Sequence, residues 1–375
     1  MRLPVFLVTA FLVCVLVFSF FVFPWMGRNE VVDDFFVGVS FGGDSFFDAK
    51  LLIDRVKFFT NLFVVQSGPA SKNQTLLDEI CEYAVDSGLS IIVYFGKFDL
   101  DWQSLWVGGA DERWGSRFLG VYFFDEPAGS LLDSIDEMWN VSLGEMPKNY
   151  DEMAEYFVEC WQTMPGLVTV KESLGSGLSF TSDYALYWFD YLAGYDVVFA
   201  EFGWNHSRVQ DVALVRGAAR VQGKEWGVMV TWTYNNPPYI GSGEELYDDL
   251  VYAYDNGAKY FVVFNYPEIN EYGILEDEHF LGLERFWQKI CVDSGHVPVV
   301  ADTVLVLPNN YGWGMRYVDD SIWGLWEADS KSVQIWDVSR RLLSVHAPFL
   351  DIVYDDEGFL LEDYYSEIVY WNSTS

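Results

Sequence analysis

The chain has 375 residues, 51% hydrophobic and 18% aromatic, enough for one large core or a barrel with a small companion domain. Its 56 acidic residues outnumber 22 basic ones and leave a net charge of −34. The acids are dispersed along folded, aromatic-rich sequence, so they read as a solvated surface that repels nucleic acid and anionic lipid headgroups.

In chain order, the first element is an uncharged apolar run from Leu3 to Met26. About 20 such residues cross a hydrocarbon core as a helix. Arg2 precedes it, and Arg28, Glu30, Asp33 and Asp34 follow it. The pattern predicts a transmembrane signal anchor over residues 1–30, with the body facing outside the cell membrane. A cleaved signal peptide and a secreted chain is the alternative, although the exit FVFPWMGRNE offers no small-x-small cleavage site. Sequons at Asn73, Asn140, Asn205 and Asn372 agree with an extracellular glycoprotein. Cys14 lies in the apolar run, and the isolated Cys81, Cys160 and Cys291 permit at most one bridge.

A strand–helix alternation follows. FFVGVSFGG (Phe35 to Gly43) reads as a strand and Phe46 to Phe59 as a helix. NLFVVQSG and Thr75 to Asp86 form the second pair. LSIIVYFGKF (Leu89 to Phe98) is the third strand, followed by a loop carrying Trp102, Trp106 and Trp114. GVYFFDEP (Gly120 to Pro127) is the fourth, with a helix from Tyr150 to Met164. The fifth strand is expected at LVTVKES (Leu167 to Ser173), with a helix from Ser182 to Leu192. Strands at Tyr195 to Asn205, GVMVTWTYNNPP and Ala258 to Glu268 complete eight. Helices from Ser207 to Val221, Glu244 to Asn256 and Glu276 to Ser294 follow them.

Eight apolar strands, each followed by a helix, predict an α/β fold of the (β/α)8 TIM-barrel type over residues 31–299. An open doubly wound sheet is the alternative, but no glycine-rich phosphate loop opens a helix. Residues 300–375 read as a small β-α-β-β extension: strands at Thr303 to Pro308, Leu350 to Tyr354 and Ile368 to Trp371, and a helix over Val333 to His346. Thr303 to Pro308 would close the barrel if the fifth strand lay elsewhere.

Chemistry in such a barrel sits where the strands end. Those ends carry Asp125 with Glu126, Glu172, Glu201, a Trp232–Tyr234–Asn235 cluster, and Asn265 with Tyr266. Paired carboxylates break acetals, aromatic faces stack on pyranoses, and amides bind hydroxyls. Glu126, Glu201 and Glu172 are therefore the candidate catalytic acids. Asp125, Trp232, Tyr234, Asn235, Asn265 and Tyr266 are the candidate substrate-binding residues. Each has a plainer alternative: Asp125 as a helix cap, Glu172 beside Lys171 as a local ion pair. The four histidines lie far apart without metal-ligand spacing, and no cofactor motif or nucleophile elbow occurs.

The fourth-strand end DEP resembles the NEP-type end of retaining glycoside hydrolases in the large barrel clan that includes the β-galactosidases. The trailing TVLVLP…LDIVYDD…IVYWN resembles the flavodoxin-like domain that follows the barrel in some β-galactosidases. That resemblance implies the acid/base position for Glu126. The sequence departs from the family at two points: Asp125 stands where the family has asparagine, and the seventh strand ends TWTYNNPP where the family carries its nucleophilic glutamate. Other sugar-cleaving barrels carry their two acids on strands four and six, as Glu126 and Glu201 do here. The expectation is a glycoside hydrolase-like protein acting on glycans, with a non-catalytic carbohydrate-binding or envelope protein as the alternative.

Overall fold

The computed structural model describes residues 35–133, 147–293 and 295–373. Eight parallel strands close a barrel in chain order: β1 (Phe36–Ser40), β2 (Leu62–Val65), β3 (Ser90–Phe95), β4 (Phe118–Phe123), β5 (Leu178–Asp183), β6 (Val197–Phe202), β7 (Glu225–Val230) and β8 (Tyr260–Val263). Closure is the parallel pairing of Phe36–Val39 with Tyr260–Val263. The barrel is filled by Leu62, Val64, Ile92, Tyr122, Phe180, Val197, Phe199, Met229, Tyr260 and Val262, so it is a packed core rather than a pore. Gly120 is required in β4: a Cβ there would lie 1.9 Å from the Leu178 carbonyl oxygen of β5.

Seven strands lie where the apolar runs place them, and β5 does not. LVTVKES is helical instead. Pro165 occupies the first turn of a helix over Pro165–Ser173, and Leu167 and Val170, three apart, face inward. The strand that takes its place is LSFTSD, whose Ser179, Thr181, Ser182 and Asp183 are all buried. Each is satisfied locally; Ser179, for example, donates from Oγ to Asp196 at 2.7 Å. The helix expected from Ser182 shortens to Tyr187–Ala193. The tryptophan-rich loop is in fact two short helices, Asp101–Gly108 and Ala110–Trp114. There Trp106 packs on Phe95, Phe118 and Trp114 and serves the core.

The last segment forms a separate parallel sheet in the order β10-β9-β11, from β9 (Thr303–Leu307), β10 (Leu350–Tyr354) and β11 (Glu367–Tyr370), with a helix over Ser330–His346. Thr303–Leu307 therefore does not close the barrel. Arg216, buried on the barrel helix Arg208–Val221, ties this sheet down. Its guanidinium donates to Asp351 (2.7 Å), Asn256 (2.6 Å) and the carbonyls of Pro348 (2.7 Å) and Leu350 (3.1 Å). The expected span Leu3 to Met26, Cys14 and the Asn140 sequon lie outside the described residues. Among the described residues no helix is long and apolar enough to cross a membrane.

Candidate active site

Strand alternation alone would face Glu126 inward and Asp125 outward. The chain does otherwise. Regular backbone ends at Phe123, and the next residues include two in the left-handed region, Phe124 (φ 59°) and Glu126 (φ 55°). Such a conformation costs a non-glycine residue about 1–3 kcal/mol and clusters where function demands it. The first turn swings Phe124 out against Trp161, ring centroids 4.8 Å apart. Asp125 is thereby brought back over the barrel interior, where the hydroxyl of Tyr122 and Oγ of Ser182 (3.0 Å) both reach its Oδ1. The amide of Glu126 then donates to the Ser182 carbonyl at 3.0 Å, which fixes the second carboxyl at the β4–β5 rim.

Glu201 arrives from β6 on the same side as Val197 and Phe199, which line the barrel core. It is 4% exposed, and Oγ of Ser182 lies 2.5 Å from its Oε1. Its carboxyl and that of Glu126 each bear on the other's charge. Two carboxyls, those of Asp125 and Glu201, thus meet at the hydroxyl of one serine, and Glu126 is held to the same residue by its backbone amide.

The hydrogens available in this cluster can be counted. Tyr122 contacts Asp125 and Ser182, and Ser182 contacts Asp125 and Glu201. Two hydroxyls supply two hydrogens, enough for two of those four contacts. The rest require a protonated carboxyl. Electrostatics agree. Burial, reinforced by Asp125 and Asp183, pushes Glu126 up to about 8. Burial, then the charges of Glu126 and Asp125, pushes Glu201 well above the usual carboxylate range, against the opposing Ser182 bond. Burial raises Asp125 too, held back by Tyr122 and Ser182. Tyr94, beside Tyr122 at 5.2 Å between centroids, is held neutral by burial and the same two β4 carboxylates.

Asp183 supports this arrangement from behind. Its carboxylate accepts from the amides of Ala128 (2.8 Å), Gly129 (2.9 Å), Tyr184 (2.8 Å) and Ala185 (3.2 Å), so it caps the helical turn that follows Glu126. That is the capping role the sequence offered to Asp125. Burial carries Asp183 up to about 7 even against those four donors. Ser182 and Asp183 are absent from the sequence candidates because the apolar pattern places β5 in the preceding helix. The visible signal was the polar alternation of LSFTSD itself.

The remaining candidates separate. Trp232 stands half-buried beyond β7 against Tyr239 and Phe264, with Tyr266 nearby at 6.3 Å between ring centroids. Tyr234 and Asn235 are exposed in the same loop, and Tyr266 is exposed after β8. Asn265 is buried and fully engaged. Its amide nitrogen donates to the Tyr272 carbonyl (2.8 Å), and its oxygen accepts from the Ile274 amide (3.0 Å), so it shapes the loop after β8. Glu172 lies exposed on the helix Pro165–Ser173, which leads into the start of β5 at the opposite end of the barrel from the mouth. The structure does not bring it to Glu126 and Glu201. Among the described residues no group of three or more His, Cys, Asp or Glu side chains has the arrangement to hold a metal ion.

No protein-family model matches the sequence, and no curated protein does. Solved structures match in fold. A GH5_18 variant from Streptomyces cattleya in complex with Manβ1-4GlcNAc superposes with a TM-score of 0.54 at 12% identity, over 87% of this chain and 94% of its own. A β-galactosidase from the Antarctic haloarchaeon Halorubrum lacusprofundi gives 0.57 at 12% identity over 89% and 68%. A GH5_18 protein from Bifidobacterium longum gives 0.54 at 9% over 91% and 98%. The chain thus has the glycoside hydrolase-like (β/α)8 fold that the sequence resemblance led one to expect.

Proposed function

We propose that this protein is a membrane-anchored, outward-facing glycoside hydrolase that cleaves glycans with the Glu126–Glu201 pair. The observation that carries the reading is that pair: Glu126, just past β4, and Glu201, on β6, are both held by Ser182 of the strand between them, at the end of a (β/α)8 barrel where catalysis occurs. A structural neighbour that holds Manβ1-4GlcNAc supports a glycan as the substrate class. The uncharged run Leu3 to Met26 motivates the anchor.

Catalysis of this kind needs one acid protonated and one ionised. Glu201 is the deeper of the two and keeps its proton; Glu126, at the rim, carries the charge first. The route proposed is the retaining one, which requires the two carboxyls to stand about 5–5.5 Å apart rather than the roughly 6.5–9.5 Å of an inverting pair. In that route the Glu126 carboxylate attacks the anomeric carbon while Glu201 protonates the departing oxygen. Glu201 then takes a proton from water, whose oxygen releases the sugar from Glu126. This exchanges the role that the family resemblance implies for Glu126.

The test is turnover of 4-nitrophenyl glycosides by the full chain and by Glu126→Gln and Glu201→Gln, followed by trapping with a 2-deoxy-2-fluoro glycoside. Both variants are expected to lose about 10²–10⁴-fold in kcat, with the trapped sugar on the peptide that contains Glu126. Full activity in Glu126→Gln would overturn the assignment, and a label on Glu201 would reverse the two roles. A non-catalytic glycan-binding protein is the second reading, favoured by the absence of a carboxylate over Thr231–Pro238 at the end of β7. It predicts glycan binding without turnover by the wild type.

A further inference from the structure

Beside the mouth, the segments that follow β6 and β7 enclose a cleft of about 520 Å³, within the range of about 300–1,000 Å³ usual for small-molecule sites. The two segments are tied together. The Trp204 amide donates to the Trp232 carbonyl at 2.7 Å, and a Cβ on Gly203 would lie 2.4 Å from that same oxygen. Asn205, on the wall of the cleft, lies four residues after Glu201 in the chain. The wall also includes His206, Thr233 and Tyr234.

The charged groups in the cleft are already spent. Arg208 donates from Nε to both carboxylate oxygens of Asp249 (3.2 Å each) and from Nη1 to the carbonyls of Gly203 (3.0 Å) and His206 (3.2 Å). Glu245 accepts from the amide and hydroxyl of Ser242. His206 is kept neutral, its pKa pushed down to about 4 by burial and then by Arg316 and Arg208. What remains is neutral and unengaged: the side chains of Asn205, His206, Thr233 and Tyr234 make no hydrogen bond among the described residues. Tyr234 also offers an exposed ring, 46% accessible.

We infer that this cleft is a subsite for an uncharged sugar residue, adjoining Glu201 on the β6–β7 side of the mouth. Hydroxyl-bearing donors and acceptors without a free charge suit a polyol, and an exposed aromatic ring suits the apolar face of a pyranose. Uronic acids, sulfated sugars and phosphosugars would meet no free cation and would be repelled by the net charge of −34. By contrast, the cleft between the β1 and β8 segments is lined by Asp48, Glu268 and Glu271.

This inference rests on the glycan-active reading above, so its test must be able to fail separately. The probes are cellotetraose, mannotetraose, chitotetraose and tetragalacturonate. They are titrated calorimetrically into the full chain carrying Glu126→Gln, in a detergent without a sugar headgroup. At least one neutral tetrasaccharide is expected to bind, and adding Tyr234→Ala or Thr233→Val should weaken it at least tenfold. The methyl glycoside of the same sugar should lose much less. If both variants bind the tetrasaccharide as well as their parent does, the subsite is wrong while the glycan reading stands. Tighter binding of tetragalacturonate would overturn the neutral character. If no glycan is bound, and none is cleaved by the wild type, both readings fall.

Discussion

Replacing Glu126 by Gln should make the protein more stable at neutral pH, and by an amount that depends on pH. In the folded chain the Glu126 carboxyl keeps its proton up to about 8, whereas the ordinary value is 4.5. Between those values the unfolded chain binds fewer protons at this group than the folded one, so stability falls as pH rises from 4.5 and stops falling above about 8. At pH 7 the loss covers about 2.5 pH units, which at about 1.36 kcal/mol per unit is about 3 kcal/mol. Gln has the same shape and does not titrate. For 375 residues the unfolding entropy is about 0.8 kcal/mol/K, so the melting temperature should rise by about 4 °C. At pH 4.5 the gain should vanish. The assay is thermal unfolding of the full chain and its variant at both values. Equal shifts at the two pH values, or a variant less stable at pH 7, would refute the reasoning. Activity and stability would otherwise move in opposite directions, as expected of a residue held in place for its chemistry.

Ser182→Ala removes the bond that favours ionised Glu201. The alkaline limb of kcat/KM should therefore move up by about one pH unit, since a hydrogen bond to a charged group contributes about 1.5–3 kcal/mol; an unmoved limb would show that the serine merely fills space. Membrane fractions washed with carbonate should retain the full chain if Leu3 to Met26 is an anchor, and recovery of a soluble chain trimmed at its N-terminus would identify a cleaved signal instead.

The barrel was legible because seven of its strands are buried on both faces, and a doubly buried strand is an unbroken apolar run. The eighth, β5, was not, because its inner end builds the site. Ser182 must bridge two carboxyls and Asp183 must cap a helix, and a strand with those duties reads as a turn. LVTVKES beside it has β-branched alternation, yet Pro165 starts a helix there. Glu126 and Glu201 could be named from strand ends alone. The inward turn of Asp125 could not, since it depends on left-handed backbone at Phe124 that no propensity foretells. The work of Asn265 in the loop after β8 was not legible either, since an amide near a mouth is as useful to a loop as to a ligand.

Arg216 bears on how the chain could ever be divided. Its guanidinium projects from the helix directly after β6, the strand that delivers Glu201, and most of what it grips belongs to the segment after residue 300. A protein ending near residue 299 would lose Asp351 and the carbonyls of Pro348 and Leu350, three of the four groups that Arg216 grips, and would bare the helix face on which the sheet packs. The same helix donates from Gln210 to the Met315 carbonyl at 2.9 Å. The trailing sheet is thus a bracket on the strand that carries one of the two acids. An insertion or proteolytic nick in residues 300–375 should register at the mouth through helix Arg208–Val221 before it disturbs the rest of the barrel.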